Sequence, residues 1–279
     1  MGRRPAGGPM KSRTDDGNQH AVVSVALLGG FRLARGQSLV HVGGSVQRLI
    51  AFLALRSPAA RTQVAGTLWP DVVDQRAHGS LRTSIWQLQR RCPGILSATH
   101  GSDLKLSDAV HVDSIDFEAH AHRILGEPHN VSLIDLTHEV VWRELLPGWY
   151  DEWVLLERER CRQVQLHVLE ATGEELLCRN KPGYALCAAL AAIQAEPLRE
   201  SAHRLMIRIH ISEGNTCEAI RHYKWYRRIL RDELGVPPTE QLQQLIAELP
   251  ILEDEHEDSL TVNNGNSVTL SAGDRRTSR

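Results

Sequence analysis

QRAHGSLRTSIWQLQRRC, residues 75–92, is the stretch on which the fold turns. Ala77, Leu81, Ile85 and Leu88 recur at three- to four-residue spacing, the period of a helix with one apolar face, and Pro93-Gly94 stops it. Just upstream, residues 62–68 make a shorter helix with Val64, Ala65 and Leu68 inward, ended by Trp69-Pro70-Asp71. Before that, SVQRLIAFLAL at 45–55 sets Val46, Leu49, Ile50, Leu53 and Ala54 at helical spacing, with Ser45 as its cap and Pro58 past its end. VVSVALLGGFRL at 22–33, broken at Gly29-Gly30, and the short run 38–42 are β-rich and predict a small sheet. Downstream, residues 95–112 alternate around Gly101 and close in two short apolar runs, which suits a β-hairpin. Sheet, three helices of which the second is short, then a hairpin is the order of a winged helix-turn-helix. The same elements also fit a small α+β domain of another kind.

After residue 113 the strand signals vanish. Residues 116–125, 136–145, 152–178, 183–195, 200–213, 216–234 and 239–249 all read as helices. Cys187-Ala188 is echoed 32 positions later by Ala219-Ile220, with Gly183 and Gly214 standing before them, a spacing near that of tetratricopeptide helix pairs. Trp142, Trp149, Tyr150 and Trp153 read as packing anchors between these helices, and Glu157-Arg158-Glu159-Arg160 as a solvated face with local ion pairs. The predicted fold is therefore mainly α: a winged helix-turn-helix (α+β) over 21–112, followed by an all-α tetratricopeptide-like repeat domain over 113–250. A polar leader (1–20) and a polar tail (251–279) are expected to be disordered.

Charge divides along the same line. Residues 21–112 hold ten basic and four acidic side chains, whereas 113–250 hold fifteen and twenty-two. A basic module joined to an acidic one suits a nucleic-acid binder with a regulatory half. Five cysteines without a CxxC pair argue against a zinc ribbon or disulfide framework. The histidines, His203, His210 and His222 among them, form no HExxH, and neither GxSxG nor GxGxxG occurs. No enzyme activity, metal or cofactor is expected. Nor is there an apolar run of membrane length or a signal-peptide core, so the reading is of a soluble cytoplasmic protein.

With Leu81, Ile85 and Leu88 inward, Gly79, Arg82, Thr83, Trp86 and Arg90 lie on the outer face of the third helix. Double-stranded DNA is the expected partner, because a helix fits its major groove. Arg82 is the candidate base reader, since a guanidinium pairs bidentately with guanine O6 and N7, and Thr83 suits a thymine methyl. Gln87, Arg90 and Arg91 are placed for phosphates, with Arg48 and Arg61 as further backbone contacts. Each side chain taken singly also fits a solvated surface, and Trp86 also fits an interface aromatic.

Several stretches resemble the SARP-type (antibiotic regulatory protein) transcriptional activators of actinobacteria. They are VALLGGFRL (25–33), QRLIAFLAL (47–55), LWPD (68–71), SLRTSIWQLQRR (80–91) and VDSIDFEAHA (112–121). The likeness continues in LLPGWYDEWVLLERERCRQVQLHVLEA (145–171) and AEPLRESAHRLMIRIHISEGNTCEAIRHYKWYRRILRDELGVPPTEQL (195–242). The resemblance implies an OmpR-like winged helix followed by a bacterial transcriptional activation domain. It further implies a homodimer on promoter repeats that recruits RNA polymerase through its sigma or alpha subunits, at secondary-metabolite or pathway-specific genes. In such proteins the loop at Trp69, Pro70 and Asp71 faces polymerase; a core plug and a helix stop would explain Trp69 and Pro70 equally. Asp103 and Leu104 replace the second glycine and the tyrosine of the family's wing, leaving His100 and Lys105 as wing candidates, and Trp86 replaces a small polar residue. The rival reading is a protein-interaction adaptor with a degenerate winged helix. Nothing like a receiver domain or a P-loop is present in this sequence, so neither aspartyl phosphorylation nor ATP hydrolysis is expected.

Overall fold

The β-branched N-terminal run pairs as its composition predicts. β1 (Val23–Ala26) and β2 (Arg32–Arg35) are antiparallel, with β3 (Ser38–Leu39) beyond them at the edge. Gly29 at φ 78° and Gly30 at φ 124° make the intervening bend, a backbone region that side-chain-bearing residues rarely adopt. The computed structural model describes residues 22–97, 103–138 and 143–249; the leader and tail expected at 1–20 and 251–279 lie outside them.

Three helices follow: α1 (Gly44–Arg56), α2 (Arg61–Leu68) and α3 (Asp74–Arg91). α1 begins one residue before the expected Ser45 cap, with Gly43 at the cap position. Every residue from Leu49 to Ala54 is buried, so α1 is the central element of this half rather than an amphipathic surface helix. The hairpin expected over 95–112 holds as far as residue 107. Ser97 N donates to Lys105 O (2.9 Å) and Ser107 N to Ile95 O (2.8 Å), while residues 98–102 at its tip lie outside the described residues. Within it, β5 (Asp103–Leu104) pairs with β4 (Ala59–Ala60). The last apolar run, β6 (Val110–Val112), leaves the hairpin and pairs in parallel with β1, giving the sheet order β3-β2-β1-β6. That pairing buries Val112 in the same core as Val25, which a second hairpin strand in solvent could not do.

The second half is helical: α4 (Asp113–Gly126), α5 (Leu133–His138), α6 (Glu152–Cys178), α7 (Pro182–Ala195), α8 (Glu200–Ser212), α9 (Thr216–Leu234) and α10 (Glu240–Ala247). Connections of three residues join α6 to α7 and α8 to α9, and the pairs stack through α7 and α8. Small residues sit where they cross. Ala188 and Ala219 are fully buried, whereas their counterparts in the 32-residue echo, Ile220 and Cys187, are half-buried and exposed. A Cβ on Gly173 of α6 would stand 2.5 Å from Leu205 Cδ2 and 3.5 Å from the Ala188 Cβ. Gly235, at φ 69°, closes α9 with a left-handed cap.

One expected helix, 136–145, is corrected. Its C-terminal end pairs with the N-terminal half: Leu145 bridges Leu28, Gly29 N donates to Glu144 O (2.8 Å) and Leu146 N to Leu27 O (2.9 Å). Unpaired amides and carbonyls after β1 need partners, and meeting that need outweighs the helical spacing of the apolar residues.

This docking continues in side chains. Leu145, Leu146, Trp153 and Val154 belong to the same core as α1 and the sheet. Trp153 meets Phe52 edge-on at 5.3 Å, and Trp149 stacks on Phe31 at 6.0 Å. These tryptophans therefore anchor one half to the other rather than helices within the second half; Tyr150 is 81% exposed, and Trp142 lies outside the described residues. The run at 157–160 is likewise not a simple solvated face. Glu157 receives Arg56 at 2.7 Å, and Arg158 donates to the carbonyls of Leu145, Leu146 and Trp149.

Candidate nucleic-acid interface

α3 carries the candidate surface. Leu81 and Leu88 are buried, as is Ser84, while Ile85 is only half-buried, so the inward face is turned slightly toward Ser84. The opposite side carries two rows at four-residue spacing: His78, Arg82, Trp86 and Arg90, and beside it Gly79, Thr83, Gln87 and Arg91. Arg82, Thr83, Trp86, Gln87, Arg90 and Arg91 are all exposed. Among the described residues no carboxylate lies within ion-pair distance of Arg82, Arg90 or Arg91. The helix holds four arginines against one aspartate, so the face is positive and not internally neutralised.

Local contacts shape the rows. Arg90 places its guanidinium 5.4 Å from the centre of the Trp86 ring, a cation–π contact that holds a 59%-exposed indole on the surface. Thr83 Oγ1 donates to Gly79 O at 3.1 Å, which uses the hydroxyl proton and leaves the side chain with a methyl and an acceptor oxygen to present. No atom lies within 4 Å of where a Gly79 Cβ would stand, so packing within the chain does not require glycine there. Arg61, the first residue of α2, borders a groove with His78 and Arg82. At the other end of the helix, His41 shares a groove with Trp86, Gln87 and Arg90. Sequence reasoning missed His41 and His78. His78 was legible, standing four residues before Arg82, whereas His41 is brought in only by tertiary packing.

The remaining candidates divide. Arg48 is held by Asp151 at the start of α6, in the joint between the halves and away from the α3 rows. Lys105 sits 2.6 Å from Asp108. His100 lies outside the described residues. Trp69 is half-buried against the first core, and Pro70 and Asp71 are exposed ahead of Val72 and Val73, which are 41% and 68% exposed. Tryptophan as plug and an exposed loop beside it thus occur together.

A buried histidine pair lies farther away, in α8 and α9. His203 is fully buried, and its Nε2 reaches Pro197 O at 2.8 Å. A carbonyl only accepts, so Nε2 carries the proton and Nδ1 accepts from His222 Nε2 at 2.9 Å. Tyr226 stacks on His203 at 4.0 Å. Burial lowers the affinity of His203 for a second proton; burial and then the neighbouring His203 and His210 lower that of His222 to about 4. Among the described residues no group of three or more ligating side chains is arranged to hold a metal. Nor is any of their helices long and apolar enough to cross a membrane.

A winged-helix frame with an exposed basic third helix, backed by stacked helical pairs, is the layout of a transcription regulator. Residues 140–250 match the family model of the bacterial transcriptional activator domain, so the chain carries that domain behind its winged helix. The chain is 28% identical over 232 residues to the regulatory protein AfsR of Streptomyces coelicolor, covering 78% of this chain and 23% of that protein. The AfsR of Streptomyces griseus is 27% identical over 232 residues, covering 78% and 24%. The chain thus spans about a quarter of the length of these curated relatives. In structure it is similar to Mycobacterium tuberculosis EmbR, solved in complex with a low-affinity phosphopeptide. The TM-score is 0.67 at 18% identity, over 82% of this chain and 65% of that one, a likeness of fold. The resemblance to SARP-type regulators read from the sequence is borne out by this domain and by these relatives, which are named as regulatory proteins.

Proposed function

We propose that the chain is a sequence-specific, double-stranded-DNA-binding transcriptional activator that lays α3 in the major groove. The observation that carries this reading is the pair of exposed, positive rows on α3, which no acidic side chain among the described residues neutralises. Arg82 reads a guanine edge through paired hydrogen bonds, and the Thr83 methyl meets a thymine. Gln87, Arg90, Arg91 and Arg61 contact phosphates and fix the register. Trp86, clamped by Arg90, covers sugar and base edges. Arg48 serves the joint rather than DNA. Lys105 contributes weakly, because Asp108 already occupies it.

In this reading residues 21–112 are the DNA-binding part and 113–250 the activation part, working in the cytoplasm as a homodimer on promoter repeats. Pro70 and Asp71, with the apolar Val72 and Val73 beyond them, form the surface offered to the sigma or alpha subunits of RNA polymerase. The exposure of this loop supports that role; the repeats and the secondary-metabolite or pathway-specific targets rest on the likeness to SARP-type regulators.

A gel shift with DNA from upstream of the gene, followed by footprinting, tests the reading. With about three charged phosphate contacts per protomer, from Arg61, Arg90 and Arg91, log K should fall against log salt with a slope of about −3 per protomer. Arg82→Ala should cost about 1–3 kcal/mol at one guanine and relax the preference there, while Arg91→Ala should reduce the salt slope by about one. Absence of any specific complex at low salt would leave the adaptor reading standing. Footprinting without stimulation in a reconstituted transcription assay would refute the activator role alone.

A further inference from the structure

α9 is the last long helix of the stack, and its outer face is charged in the sense opposite to its half. Ala219, Tyr226 and Leu230 are its buried residues. Arg221, Lys224, Arg228 and Arg231 follow one another at steps of three and four, so they share the opposite side, with Arg227 flanking them. All five are exposed. No acid stands between Arg221 and Arg231 in the sequence, although acids outnumber bases over 113–250. Arg221 pairs with Glu218 and Arg231 with its neighbour Asp232, at the two ends of the row. Among the described residues no carboxylate lies within ion-pair distance of Lys224, Arg227 or Arg228.

The complement lies a few residues beyond α10. Leu242 and Ile246 share one core with Tyr226 and Leu230, and Leu249 packs against it, so the main chain is fixed beside α9 up to that point. Four residues later, outside the described residues, the sequence runs Glu253-Asp254-Glu255-His256-Glu257-Asp258, five acids in six positions. Four residues reach about 14 Å at most, more than the roughly 10–12 Å across a helix. Six residues in extended form span about 17–20 Å, and the row from Arg221 to Arg231 is about 15 Å long.

We propose that the outer face of α9 is a docking surface whose occupant is the chain's own acidic segment 253–258. Exposed ion pairs are individually weak and screened by salt, so one alone would not hold the segment. Here several act together, and so short a tether keeps the acids at an effective concentration of about millimolar or above. Left uncovered, a face of five cations attracts phosphate backbones without regard to sequence. With the acids seated on it, DNA is left to the α3 rows. Only this last consequence rests on the proposed function; the contact itself forms without DNA.

Zero-length carbodiimide coupling of carboxylates to amines, applied to the full chain without DNA, reads the contact. The sequence holds four lysines; Lys224 is the one on this face, and Lys181, exposed ahead of α7, is the control. At about 50 mM salt, tandem mass spectrometry of the monomer should find Lys224 joined to a residue of 253–258. The yield should exceed that at Lys181 at least ~5-fold and drop at least ~5-fold at about 0.5 M salt. Arg227→Gln with Arg228→Gln retains Lys224; it should lower the yield at least ~3-fold and leave the thermal midpoint unchanged. Mixing isotopically light and heavy chains should give unmixed pairs alone. No coupling at Lys224, equal coupling at Lys181, or a yield indifferent to salt or to the paired substitution would each overturn the proposal. Mixed pairs would assign the face to a second copy instead. A paired substitution that weakens binding of a random duplex without changing the yield would assign it to the phosphate backbone, and the proposal would fail. Because the coupling contains no DNA, its failure leaves the proposed function untouched, and failure of the gel shift leaves this result untouched.

Discussion

Acidification should weaken this protein through His222, by an amount that follows from its surroundings. The imidazole titrates near 6.5 in an unfolded chain, but burial against α8 and the proximity of His203 and His210 bring it to about 4 in the fold. The unfolded state then takes up a proton more readily than the folded one. The stability tied to this group is complete above pH 6.5 and is lost as pH falls from 6.5 toward 4. Between pH 7.5 and 5.0 the loss is about 2 kcal/mol, rising to about 3 kcal/mol at pH 4. His203 is shifted the same way and adds to it. The assay is urea unfolding followed by circular dichroism at pH 7.5 and 5.0, for the native sequence and for His222→Gln, whose amide still donates to His203 Nδ1 but does not titrate. With a denaturant slope of about 2 kcal/mol per molar, the native midpoint should fall by ~1 M more than the variant's. Equal shifts within ~0.2 M would refute the argument, because other titrating groups are common to both proteins.

Two further experiments test the α3 surface and the joint. Gly79→Ala should raise stability by roughly 0.5–1 kcal/mol, since alanine favours the helix and nothing within the chain blocks its methyl; DNA affinity should nonetheless drop if the duplex backbone approaches there. Calorimetry and the gel shift read the two effects separately. A double-mutant cycle on Arg48→Ala and Asp151→Ala should return a coupling below about 1 kcal/mol, because both side chains are partly solvated, and Arg48→Ala should leave the salt slope of DNA binding unchanged.

The helices of this chain were legible because their apolar periods are strong and their ends are marked by Pro93-Gly94, Gly214-Asn215 and Gly235. The outer face of α3 followed from its inner face by geometry alone. What failed to show were contacts between residues far apart in sequence. Leu145 has the spacing of a helical residue, yet its main chain completes the end of β1, some 117 positions away. Val110 and Val112 read as a hairpin strand because nothing in their own neighbourhood reveals that β1 has a free edge. Arg48 looked like a free cation and is tied to Asp151, 103 residues on. Nothing in the residues that flank His203 reveals that its side points between α8 and α9, where it is fully buried. Periodicity describes one element at a time, whereas pairing, charge neutralisation and burial of a lone polar group depend on which elements meet.

The joint between the halves shows why that difference matters for function. At residue 113 the pattern changes from strands to helices, but packing does not break there. Trp153 is 4% exposed against Phe52, Leu145 and Leu146 complete the floor beneath the sheet, and burial of each such side chain contributes about 1.5–3 kcal/mol. A seam of four such residues, closed by Arg158 on three carbonyls, is too tightly packed to act as a flexible linker. α6 therefore moves with the frame that carries α3. On the proposed function, a signal received among the helical pairs cannot reach the α3 rows by loosening the two halves at small cost. It must either turn both as one body, which in the proposed homodimer would alter how two protomers meet on neighbouring sites, or act where the seam is hollow, as beside Leu28 and Val168 and between Trp69 and Trp153.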